Sequence, residues 1–427
     1  MANNTKTVII GLDGVPFGML KNFAGNGVMP NTQKIIEEGL FVEMRSSVPE
    51  ISSVAWSSII TGKNPGEHGI FGFVDLHPCS YKMRFPNYND LKARPFWELY
   101  GEKSVIINVP STYPVREMNG VHISGFVSID FEKSIHPKSL IAQLKSMDYR
   151  LDVDAQKAHD SIDLFLEDLD KSLDKRIEAY QYLWGNINWK TFMFVFTGTD
   201  RLMHFLFDAY EDKNHKHHDA FINHFKKIDG VIGRTCSKIS DEDNLLLLSD
   251  HGFERLEKDV YINYLLAKEG LLTFKPDSEP NLMNIDIATK AFALDPARIY
   301  INQKGKYPAG GIEPDEKETC LKELESLFAS LEVDGKKVIK EIWRKEDIYS
   351  GPYLEKAPDL ILIADKGFNL KGAMTSKALT GKGPFTGKHT YEDAFLLVKN
   401  KDIVSDFSNK PTVIDAGKLI KSLANNR

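Results

Sequence analysis

Three apolar runs in this chain each lead into an aspartate. Val8-Ile9-Ile10-Gly11-Leu12 is followed by Asp13, the run 191–196 is followed after Thr197-Gly198-Thr199 by Asp200, and Leu245–Leu248 with Ser249 is followed by Asp250. A single aspartate so placed is most often a turn residue or a helix N-cap. Three of them at the carboxyl ends of strands in one sheet share the rim where open α/β sheets bind ligands. Clustered carboxylates repel one another unless cations neutralise them. Histidines accompany them. Asp200 and His204 are four apart at the start of a helical pattern, so both can leave one face. His251 adjoins Asp250 in a strand-to-loop turn, and His389, in Gly387-Lys388-His389-Thr390, precedes another strand-like run. Carboxylates with imidazoles suit zinc, with manganese as the other choice. Singly, His204 or His389 reads as a structural histidine. Together with a nucleophile the set offers seven groups, enough for two metal ions.

The stretch Pro49-Glu50-Ile51-Ser52-Ser53-Val54-Ala55-Trp56 runs on to Thr61-Gly62 and Gly66-Glu67-His68-Gly69-Ile70. A serine opening a short helix meets the positive end of its dipole and exposed N–H groups, a natural phosphate seat. The plain alternative makes Ser52 or Ser53 an N-cap, and this stretch by itself leaves the two readings even. Trp56, Phe71, Phe73 and Tyr391 could wall a base, sugar or lipid, or be core aromatics. The cluster His215-Lys216-His217-His218-Asp219 sits in polar sequence at a helix start and reads as a solvated face or cap.

The elements that must position these residues are legible as pattern. Short continuous apolar runs (8–12, 105–109, 191–196, 245–248, 359–363 and 394–398) look like strands buried on both faces. Amphipathic stretches at 30–38, 218–239, 259–268 and 316–331 lie between them. Strands alternating with helices predict a layered α/β fold with a mostly parallel sheet. Residues 132–184 read as a charged helical elaboration and 266–353 as a cap, leaving 1–265 and 354–427 as the core. At 427 residues the chain exceeds one compact core. With 54 basic against 60 acidic side chains it lacks the field that nucleic-acid polymers require. Its three cysteines form no CxxC pair, so a disulfide framework or thiolate zinc site is not expected. No apolar stretch reaches the ~20 residues of a membrane helix, and the N-terminus lacks a signal-peptide pattern. The chain therefore reads as soluble and cytoplasmic.

Taken in order, these motifs resemble the alkaline phosphatase superfamily, and within it the type I phosphodiesterase/nucleotide pyrophosphatase-like branch of predicted phosphohydrolases and phosphomutases. The likeness rests on Gly11-Leu12-Asp13-Gly14, the serine stretch, Asp200-Arg201-Leu202-Met203-His204, Ser249-Asp250-His251-Gly252-Phe253 and Gly387-Lys388-His389. Asn108-Val109-Pro110, Ser124-Gly125-Phe126 and Ala357-Pro358-Asp359 extend it over nearly the whole chain. The resemblance implies a three-layer α/β/α sandwich with a small cap or subdomain. It implies two divalent ions, zinc first and manganese second, one held by Asp13, Asp250 and His251 with the nucleophile, the other by Asp200, His204 and His389. Spacing to Thr61-Gly62 in the resembled family places the nucleophile on Ser52. The implied activity is hydrolysis of a phosphodiester or pyrophosphate bond in a small phosphorylated substrate, through a covalent phosphoserine. Alternatives are a phosphomonoesterase or phosphomutase using the same site, or a catalytically silent ligand-binding relative. The C/S-x-P-S-R motif of sulfatases is absent, and Phe73 stands where nucleotide pyrophosphatases carry an asparagine.

Overall fold

The computed structural model describes residues 5–400, 407 and 410–425. Eight strands form the central sheet, in the order Leu40–Met44, Ala394–Val398, Asn244–Leu248, Thr7–Leu12, Thr191–Phe196, Ser104–Val109, Gly120–Ser124, Ile135–His136. The five from Asn244–Leu248 to Gly120–Ser124 are mutually parallel. Every residue of Thr7–Leu12 and Thr191–Phe196 is buried, as apolar runs without alternation require when helices cover both faces of a sheet. The architecture is a three-layer α/β/α sandwich carrying a smaller second unit.

Register brings the chemistry to one rim. Leu12 lies opposite Phe196 and Gly11 opposite Leu248, so the residues following these three strands emerge together. The Ala394–Val398 strand runs antiparallel to Asn244–Leu248, so it enters the sheet at that rim and His389 lies just before it. The helix Ser52–Thr61 is buried along its whole length. It stops at Gly62, which adopts the left-handed conformation that favours glycine (φ 64°). Its Trp56 indole lies against Gly11, where an added Cβ would stand 2.5 Å from Trp56 Cη2 and 2.9 Å from Val195 Cγ2. Gly11→Ala is expected to destabilise by about 1–3 kcal/mol through overpacking, read by urea denaturation. An unchanged midpoint would mean that this helix is not held against the sheet as described.

Two compact units divide the chain. The first comprises residues up to Asn64, Asn87–Glu254 and those from His389 onward. The second comprises Pro65–Pro86 and Arg255–Lys388. It has its own core around an antiparallel sheet ordered Ala291–Leu294, Arg298–Ile301, Leu360–Ala364, Ile339–Arg344, with the helix Lys317–Ala329. It thus reaches beyond a cap limited to 266–353. The apolar run at 359–363 is a strand, as its pattern predicts, but it pairs with Arg298–Ile301 and Ile339–Arg344 instead of joining the central sheet. An inner antiparallel strand buried on both faces carries the same unbroken apolar run as a parallel one, so the pattern cannot assign it to a sheet. The stretch 259–268 likewise divides into a strand, Lys258–Tyr261, and a helix, Ile262–Lys268. Within 132–184 the pattern is mainly helical, but Ile135–His136 adds the edge strand to the central sheet. Among the described residues no helix is long and apolar enough to cross a membrane.

Candidate active site

Asp13, Asp200, Asp250 and His251 are all buried at the rim. His251 Nε2 lies 3.3 Å from Asp250 Oδ2, 3.8 Å from Asp13 Oδ1 and 4.0 Å from Asp200 Oδ1. His389 Nε2 is 3.0 Å from both Asp200 Oδ1 and His204 Nε2, and His204 Nε2 is 3.5 Å from Asp200 Oδ1. Ser52, the first residue of its helix, places Oγ 3.2 Å from His251 Nε2 and 3.4 Å from Asp13 Oδ1. The seven side chains singled out from the sequence therefore converge. Asp13, Asp250 and His251 form one compact group of potential ligands. Asp200 and His389 form another in which His251 also takes part, with His204 beside them.

The donor atoms lie close enough together that they could hold a cation. His251 Nδ1 lies 3.0 Å from the Gly252 carbonyl and His389 Nδ1 lies 3.0 Å from the Glu50 carbonyl. A carbonyl only accepts, so each Nδ1 carries the proton and each Nε2 turns its lone pair inward, as metal-bound imidazoles are oriented. A lone pair on His389 Nε2 facing a carboxylate oxygen at 3.0 Å requires a proton or a cation between them. Asp250 Oδ1 accepts from the Gly14 N–H at 3.0 Å, while Oδ2 is buried without a hydrogen-bond partner among the described residues. Such an orphaned carboxylate oxygen is costly unless an ion takes it.

The electrostatics agree. Burial, then repulsion from Asp250 and Asp200, raises the Asp13 carboxyl well above the usual range. Burial pushes Asp250 up to about 6. Burial also opposes ionisation of Asp200, but His204 and His389 outweigh it and hold that carboxyl low. His251 is depressed by burial and by His389. Crowded carboxylates that resist ionisation and an imidazole kept neutral make a site poised for divalent cations.

Other residues fall elsewhere. Trp56 and Phe71 are buried core aromatics, the first against Gly11 and the second edge-on to Tyr349 with ring centres 5.6 Å apart. Neither presents a face to a substrate. Phe73 and Tyr391 are half-buried. Ser53 is not a cap: the N-cap position is Ile51, which makes no side-chain cap bond, and Ser53 Oγ is buried without a partner among the described residues. Ser53→Ala is thus expected to change stability by no more than about 0.5 kcal/mol in either direction in thermal unfolding, since no hydrogen bond is lost. His217 occupies the N-cap position of the helix His218–Cys236 without a side-chain cap bond, and His218 Nδ1 lies 2.7 Å from the Ala209 carbonyl. The carbonyls of Glu50 and Gly252 escaped the sequence reading because backbone carries no sequence signal. Arg201 entered it only as part of the Asp200–His204 motif, with no role of its own.

A rim of buried carboxylates and inward-facing imidazoles around a helix-borne serine, on a parallel α/β sheet, defines the alkaline phosphatase superfamily class of phosphoryl hydrolases. The chain belongs to the type I phosphodiesterase / nucleotide pyrophosphatase family, whose model matches residues 7–392. Solved structures share the fold. Phosphonoacetate hydrolase from Sinorhizobium meliloti 1021, in complex with phosphonoformate, superposes with a TM-score of 0.65 at 14% identity, covering 99% of this chain and 96% of that one. Murine ectonucleotide pyrophosphatase / phosphodiesterase 5, as an inactive variant with AMP, gives a TM-score of 0.57 at 14% identity, with the same 99% and 96% coverage. The human form of that protein gives 0.56 at 15% identity, again covering 99% and 96%. No curated protein sequence gives a significant match.

Proposed function

We propose that this chain is a two-metal phosphohydrolase that cleaves a phosphodiester or pyrophosphate bond in a small substrate, with Ser52 as nucleophile. The observation that carries this reading is the position of Ser52 Oγ, 3.2 Å from His251 Nε2 and 3.4 Å from Asp13 Oδ1 at the first residue of a buried helix. Asp13, Asp250 and His251 would hold one divalent ion, with Ser52 at its edge; Asp200, His204 and His389 would hold the other. The mixed oxygen and nitrogen donor set favours zinc, with manganese next. When bound, the two ions would supply the positive charge that eases ionisation of the serine hydroxyl and stabilises the phosphoryl oxygens.

The chain's own residues account for the rest. The Ser52 oxygen attacks phosphorus, its proton passes to solvent, and the bond from phosphorus to the leaving oxygen breaks. The first N–H groups of the Ser52–Thr61 helix face the phosphoryl oxygens, where the helix dipole favours negative charge. Water then attacks the phosphoserine and returns the hydroxyl, so one difficult displacement becomes two easier ones. The carbonyls of Gly252 and Glu50 keep the His251 and His389 imidazoles in place.

The deciding experiment compares p-nitrophenyl phosphate, bis-p-nitrophenyl phosphate and thymidine p-nitrophenyl phosphate as substrates of the zinc- or manganese-loaded protein. The diesters should be preferred. Faster turnover of the monoester would overturn the diester assignment, and inertness toward all three with metal bound would overturn hydrolysis itself.

A further inference from the structure

Arg201 follows Asp200 directly in the helix Gly198–Glu211. Its Nη2 donates to Asp152 Oδ2 at 3.0 Å, and its Cζ lies 3.9 Å over the centre of the Phe126 ring. A planar guanidinium clamped at one edge by a carboxylate and on one face by an aromatic ring has its orientation fixed. The side chain is 17% exposed. Of a guanidinium's five N–H donors, one goes to Asp152, and no other acceptor among the described residues takes the remainder. Asp152 is itself shared with Arg176, whose Nη2 is 3.7 Å from Oδ1. The guanidinium is thus held rigidly, mostly shielded from water, with donors to spare.

Its place on the rim says what it would meet. Phe126 lies two residues past the Gly120–Ser124 strand, which is three positions along the sheet from Thr7–Leu12 and Asp13. Neighbouring strands are about 4.8 Å apart, so that ledge is roughly 14 Å from the Asp13 column. Arg201 reaches toward the ledge from the helix that follows the intervening Thr191–Phe196 strand. Its guanidinium therefore stands between that ledge and the Asp13 column, near enough for its charge to act on both Asp200 and Asp13. A guanidinium has donors only and cannot itself hold a cation, so on this rim it is suited to another anionic part of a molecule whose phosphoryl group sits at Ser52.

We propose that Arg201 binds a second anionic group, phosphate or carboxylate, on a substrate whose first phosphoryl group sits at Ser52. The inference rests on the hydrolase reading for the place of that first group. It narrows the substrate class to compounds with two anionic groups a few bonds apart, pyrophosphates among them, ahead of simple diesters with one charge. A rigid fork matches two oxygens of phosphate or carboxylate, which an ammonium would meet only as a point charge.

The test is binding, so it does not depend on turnover. Zinc-loaded full-length Ser52→Ala protein is titrated calorimetrically with inorganic pyrophosphate, phosphonoacetate and methylphosphonate, with and without Arg201→Met or Arg201→Lys added. Loss of a charge-assisted pair should weaken pyrophosphate, phosphonoacetate or both by about 10- to 100-fold in Arg201→Met. Methylphosphonate, with one anionic group, should change by no more than about 3-fold. Arg201→Lys should fall between, and it carries the test alone if the methionine variant does not fold. A loss confined to one of the two-group ligands names the second group as phosphate or carboxylate. An equal loss for all three ligands, or none for either two-group ligand, overturns the proposal. Failure of the wild-type protein to hydrolyse any ester would count against the hydrolase reading and leave this binding result standing.

Discussion

Ser52→Ala should lower kcat by at least about 10³-fold while leaving the protein folded and its metal binding largely intact. The magnitude follows from losing the only attacking atom the reading provides, and removal of a nucleophile in other enzymes with covalent intermediates costs this much or more. The structural consequence is small by comparison. Ser52 Oγ makes two polar contacts, to Asp13 and His251, both at the rim. Their loss should cost about 1 kcal/mol of stability. Acid quenching of the wild-type protein during turnover, followed by peptide mass spectrometry, should place phosphate on Ser52. Ser53 is the internal control, one residue along the same buried helix with its hydroxyl aimed elsewhere. Phosphate on Ser53, or near-normal turnover by Ser52→Ala, would show that the wrong serine has been assigned.

What could be read from the sequence and what could not separate along physical lines. Strands Thr7–Leu12, Thr191–Phe196 and Asn244–Leu248 were legible because burial on both faces leaves an unbroken apolar run, and an aspartate after each marks the rim. The helix Pro30–Glu38 begins at the proline its pattern shows. His389 is the hardest case, since it lies 138 positions after His251 and only the antiparallel entry of Ala394–Val398 returns it to the rim. Family resemblance supplied that placement; periodicity did not. The sheet to which Leu360–Ala364 belongs was not legible, because a strand's composition records how it is buried and not which neighbours bury it. Trp56 and Phe71 show the same limit for side chains. An aromatic near a motif can face the core or the substrate, and only the close approach to Gly11 and Tyr349 decides.

Stripping divalent ions should abolish turnover, and the stability they restore should grow with pH. Asp13 and Asp250 are the reason. Burial, with repulsion from neighbouring carboxylates, raises Asp13 well above the usual carboxylate range, and burial raises Asp250 to about 6. A carboxyl whose folded pKa lies above its unfolded value of about 4 contributes stability that is full below that value. The contribution is lost as pH rises through the folded pKa, here about 6 for Asp250. His389 acts in the same sense: burial opposes its charge, but Asp200 outweighs this and raises its pKa, so its contribution is lost as pH rises through that higher value. His251 is depressed and already neutral, ready to ligate. A cation would replace the protons on Asp13, Asp250 and His389, so it meets more competition from them at pH 5 than at pH 8. Each ion at 100 times its dissociation constant should stabilise the fold by about 2.7 kcal/mol. The gain in melting temperature on adding manganese to chelated protein should therefore be larger at pH 8 than at pH 5, with kinetics measured on the same samples. Chelated protein that still turns over substrate would remove the metals from the mechanism. An equal gain at both pH values would show that the ions bind away from Asp13 and Asp250, whose buried carboxyls must lose their protons to hold them.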